Sequence, residues 1–76
     1  MAGAIGYYQT ATLVATNASV TVTLDHAFAD ANYVVSAEVP YQTSFWITNK
    51  TDEQFVFNVG TTNAYDQTIT FWIFHE

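Results

Sequence analysis

Thr68-Ile69-Thr70-Phe71-Trp72-Ile73-Phe74 is the stretch that decides the architecture, because it reads as a strand that is apolar on both faces. In an extended chain Ile69, Phe71 and Ile73 point one way, while Thr68, Thr70, Trp72 and Phe74 point the other. A small antiparallel domain ordinarily keeps one face of each strand wet. Trp and Phe on the second face therefore imply a neighbour outside the subunit. The expectation is a symmetric β oligomer with this closing strand at its contact.

Working back from that strand, alternation recurs and helical periodicity does not. Thr10 to Thr16 reads as a strand, and Asn17-Ala18-Ser19 as a tight turn. Val20, Val22 and Leu24 then alternate with Thr21 and Thr23. After a loop from Asp25 to Asn32, with Phe28 as a plug at the core end, a third strand runs from Tyr33 to Val39 and stops at Pro40. Phe45-Trp46-Ile47-Thr48 is the fourth strand, and it too is apolar on both faces, which places Trp46 at a subunit contact with Trp72. Asn49 to Glu53 is a polar turn, and Phe55, Phe57 and Val59 mark the fifth strand. Six short strands separated by turn signals predict an all-β, antiparallel β-sandwich. Residues 1–9 are expected as an ordered N-terminal arm, with Tyr7-Tyr8 either starting the first strand early or lying along a neighbouring subunit. Residues 10–76 are the single domain.

Composition narrows the partners. A chain of 76 residues buries a modest core and usually needs a staple. It has no Cys, and His26 and His75 match no zinc spacing, so oligomerisation is the staple that remains and no cofactor is expected. The net charge is −6 with Lys50 as the sole basic residue, which argues against nucleic acid and against an anionic membrane surface. No apolar run reaches membrane-spanning length, and the opening Met1-Ala2-Gly3-Ala4-Ile5-Gly6 does not read as a signal peptide.

Ser19-Val20-Thr21-Val22-Thr23-Leu24, Ala27-Phe28, Tyr33-Val34-Val35, Trp46-Ile47-Thr48-Asn49-Lys50-Thr51, Gln54-Phe55-Val56-Phe57 and Ile69-Thr70-Phe71-Trp72-Ile73 follow one another in a recognisable order. Over roughly residues 10–74 this order resembles the H-type lectin fold and its relatives at the ends of phage tail fibres and other virion appendages. The resemblance implies six strands in a sandwich and three subunits in parallel around a threefold axis, with Trp72 at the trimer core. Joined to the two-faced strand, it predicts that Phe71, Trp72, Ile73 and Phe74, with Trp46, are buried between subunits. The expected role is a structural trimerisation module of a virion or extracellular appendage that contacts host glycans. The alternative is a freestanding lectin.

For a sugar, the candidate residues are Asn63, Tyr65 and Asp66 in the loop after the fifth strand, joined by Tyr41-Gln42 across a subunit boundary. An aromatic ring suits the apolar face of a pyranose, and amide and carboxylate groups suit its hydroxyls. The same Asn and Asp also build turns through their own side chains. Asp25-His26 and His75-Glu76 lack a positioned nucleophile or cradle, so no enzyme is expected. His75 reads as an interfacial residue.

Overall fold

The computed structural model describes residues 5–75, and among them six strands form without any helix: β1 (Ile5–Leu13), β2 (Ser19–Thr23), β3 (Tyr33–Glu38), β4 (Phe45–Thr48), β5 (Gln54–Val59) and β6 (Gln67–His75). Their order follows from which segments can be buried on both edges. β5 and β6, each with three fully or almost fully buried apolar side chains, take the centres of the two three-stranded antiparallel sheets. The first sheet runs β1-β6-β3 and the second β2-β5-β4. The lone proline, Pro40, falls just after β3, where it removes no ladder bond.

The inner faces meet through Leu13, Tyr33, Ile69, Phe71 and Ile73 of the first sheet and Val22, Phe55, Phe57 and Val59 of the second, all buried. Phe71 stands at the centre, edge-on to Phe55 at 5.3 Å and to Phe57 at 5.1 Å. Each such ring contributes about 1.5–3 kcal/mol by burial, and T-shaped pairs add roughly 0.5–1.5 kcal/mol. The Tyr33 hydroxyl crosses between the sheets to donate to the Gln54 carbonyl oxygen at 3.0 Å.

Both ends of the first strand differ from residues 10–16, and at the near end the early start at Tyr7-Tyr8 is the alternative the structure takes. Residues 5–9 of the expected arm are the first half of β1, paired with β6 from Ile5 opposite His75 to Gln9 opposite Phe71; residues 1–4 lie outside the described residues. The alternation Tyr7, Gln9, Ala11, Leu13 faces the core, so these residues continue the pattern that Thr10 onward already showed. At the other end β1 stops at Leu13 rather than Thr16, and Thr16 adopts a φ of 66°. A β-branched residue there carries about 1–3 kcal/mol of strain. The chain accepts it because Asn17 N–H bonds to the Val14 carbonyl at 3.0 Å and Thr16 N–H to the Asn63 carbonyl at 2.7 Å.

Candidate functional site

Strand register builds the outer face of the first sheet row by row. Gly6, Phe74 and Val34 share one row; Tyr8, Trp72 and Ser36 share the next. Thr10, Thr70 and Glu38 follow, then Thr12 and Thr68. The first two rows form an apolar patch in which Tyr8 is 69% exposed, Val34 67%, Phe74 46% and Trp72 38%. Phe74 lies over Gly6: a Cβ built on that glycine would meet the ring at 2.6 Å. A side chain at position 6 would push the ring away, so glycine here lets the patch lie flat.

Of the expected interface residues, Trp72 and Phe74 are where the two-faced strand put them. Phe71 and Ile73 are corrected: both are fully buried inside the subunit, on the inner face of β6, and have no surface left to offer a partner. Trp46 is 49% exposed, but it lies on the outer face of the second sheet, in a row with Ser19 and Asn58. It and Trp72 therefore do not share a face of one subunit.

The expected sugar loop is largely occupied by its own bonding. Asn63 Oδ1 accepts from Tyr65 N–H at 3.0 Å, and Asp66 Oδ1 accepts from Ala15 N–H at 2.7 Å. With the Asn63 carbonyl on Thr16 N–H, this loop clamps the strained β1–β2 turn. Tyr65 stands 76% exposed. Tyr41, held by a 2.7 Å bond from its hydroxyl to the Thr61 carbonyl, fixes the near end of the loop. The structure brings these four residues to one end of the sandwich, with Asn63 Oδ1 and one Asp66 oxygen serving the backbone.

Asp25-His26 is positioned by its backbone. Gln9, the buried polar side chain, donates to the Thr23 carbonyl and accepts from Asp25 N–H, both at 2.9 Å. The Tyr7 hydroxyl donates to the His26 carbonyl at 3.2 Å and accepts from its N–H at 3.4 Å. Burial pushes the Tyr7 hydroxyl pKa above its ordinary value. His75, expected at a subunit contact, instead stacks on Phe28 at 5.0 Å and bonds Asp30 at 2.7 Å. That bond, backed by Asn32 N–H, holds the Asp30 carboxyl below the usual range. Lys50 donates to the Tyr33 carbonyl and lies 5.0 Å over the Tyr33 ring. Lys50, though exposed, thus spends its ammonium on a contact within the subunit.

Sequence reasoning missed a second group. Glu38, Val39, Pro40, Tyr41, Thr68 and Thr70 line an open groove of about 460 Å³. Only Tyr41 was singled out in advance, since positions 38 and 70 become neighbours solely through the β3–β6 pairing. Among the described residues, no three His, Asp or Glu side chains are placed to hold a metal ion, and no helix is long and apolar enough to cross a membrane. No known family model matches the chain, and no curated protein is significantly similar to it.

Proposed function

We propose that this chain is a structural module that assembles as a homotrimer in a virion or extracellular appendage, in the manner of tail-fibre relatives of the H-type lectin fold, and presents sugar-contacting surface once assembled. The observation that carries the reading is the patch of Tyr8, Trp72, Phe74 and Val34 on the outer face of the first sheet. Soluble subunits rarely leave such contiguous aromatic surface wet, and where they do it marks a contact. The partner proposed is a second copy of the same chain, because a core of this size gains its margin from association. The placement of Trp46 on the opposite outer face supports a ring of three over a simple twofold dimer. A contact that joins unlike faces is heterologous, and it closes into a ring when the rotation allows.

The role is architectural rather than catalytic. Nucleic acid is no part of it, since the net charge is −6 and Lys50 is already engaged. A freestanding lectin is the second reading, favoured by the exposure of Tyr65 beside Asn63 and Asp66.

The test is transplantation. Fused behind a monomeric fluorescent protein, the full chain is expected to convert the carrier to a trimer in sedimentation velocity. A carrier that remains monomeric would contradict the proposal.

A further inference from the structure

We infer that the groove between the ends of β3 and β6, on the outer face of the first sheet, is a binding site for a neutral saccharide. The inference deepens the sugar-contacting part of the proposed function and rests on it, but it does not rest on the trimer. It also moves the site from the loop at residues 61–67 to the face of the sheet.

Four features point there. First, the polar groups are free to bind. Among the described residues, Glu38, Thr68 and Thr70 make no side-chain hydrogen bond, whereas Asn63 Oδ1 and one carboxylate oxygen of Asp66 already accept from backbone N–H groups. Second, the groups are placed by register. Glu38 and Thr70 are direct cross-strand partners, and Thr68 lies on the same side of β6 two positions earlier. A carboxylate beside two hydroxyls gives strong acceptors, plus donors that can turn, the set that vicinal sugar hydroxyls require.

Third, Tyr41 supplies an aromatic surface whose orientation is fixed by the bond to the Thr61 carbonyl, and Pro40 stiffens the rim beside it. A pre-set ring loses little entropy when a pyranose stacks on it. Fourth, the volume of about 460 Å³ falls among small-ligand sites, which span about 300–1,000 Å³. The charge decides the ligand class. Glu38 is the one charged side chain lining the groove, and the chain as a whole carries −6, so a uronate or a sialic acid would be repelled.

The experiment is titration of the full, ¹⁵N-labelled chain with glucose, galactose, mannose, N-acetylglucosamine and, as the anionic probe, N-acetylneuraminic acid, each to high millimolar concentration. The expected result is amide shifts centred on residues 38–41 and 68–70 with at least one neutral sugar, and none with the anionic one. Glu38→Gln should weaken that binding about tenfold, the loss of one charge-assisted hydrogen bond. Tyr65→Ala should leave it unchanged. Shifts centred on residues 61–67, or binding lost in Tyr65→Ala and kept in Glu38→Gln, would overturn the inference and return the site to the loop. Saturation by the anionic sugar alone would overturn it too, as would the absence of shifts with all five. Scattering mass on the same samples separates the two claims: groove binding by a monomer sinks the assembly and keeps the site, and a trimer that binds no sugar does the reverse.

Discussion

The central strands β5 and β6 are alike on one side and opposite on the other. Inward, β5 offers Phe55, Phe57 and Val59 and β6 offers Ile69, Phe71 and Ile73, and all of these are buried. Outward, β5 carries Gln54, Val56 and Asn58, while β6 carries Thr68, Thr70, Trp72 and Phe74. Asn58 completes its own face, donating from Nδ2 to the Trp46 carbonyl at 3.2 Å and to Thr48 Oγ1 at 3.0 Å. The outer face of β6 has no such closure at its aromatic end. The inner faces make the subunit, and the outer faces decide what it meets.

The largest expected effect treats the two strands identically. Phe71→Ala and Phe57→Ala should each cost about 3–5 kcal/mol in chemical denaturation, since each empties a site at the centre of the same core. A loss below 1 kcal/mol for either, by the same measurement, would mean that the inner faces are not equivalent.

Buried Tyr33 should come next, in alkali. Burial, with the charges of Tyr7 and Asp52 adding to it, pushes the Tyr33 hydroxyl up to about 12 from 10.0. The proton therefore leaves the unfolded chain first. The contribution of Tyr33 is complete below pH 10 and drains away as pH rises toward 12, by up to roughly 2–3 kcal/mol. Tyr33→Phe should flatten that part of a stability profile measured from pH 8 upward, and an unchanged slope would show that ionisation of the buried Tyr33 is not the cause.

Where the strands differ, so should their mutants. Trp72→Ala is expected to weaken association at least tenfold in sedimentation equilibrium while the far-ultraviolet spectrum of the subunit survives, because Trp72 is partly exposed outside the core. Val56→Ala, a smaller truncation on the other outer face, should weaken association less. Equal losses would erase the distinction drawn between the faces. The smallest effect belongs to Asn58→Ala, expected to cost about 1 kcal/mol for its lost bonds to β4, read as a midpoint shift in urea.

Much of this fold is legible from alternation alone. The alternation gives Phe45–Thr48 its observed bounds and places β2, β3, β5 and β6 within a residue at each end. Pairing was not legible, because four of the five connections cross from one sheet to the other and only β4 and β5 form a hairpin. The start of β1 was hidden by Gly6, whose low strand preference masks a ladder that Phe74 completes from the next strand. Phe71 carries two conflicting signals: its parity with Ile69 and Ile73 puts it inside, where it lies, and its place in a run of aromatics points to a contact. The groove could not be read at all. Glu38 and Thr70 are 32 positions apart, and no local pattern announces that they will face each other.

The most direct test of the central claim, that the outer face of β6 is a contact between copies of this chain, is the absolute mass in solution by light scattering during size-exclusion chromatography at low concentration. The predicted result is the mass of three subunits. A single subunit of 8.5 kDa would leave Tyr8, Trp72, Phe74 and Val34 facing water, and would contradict it.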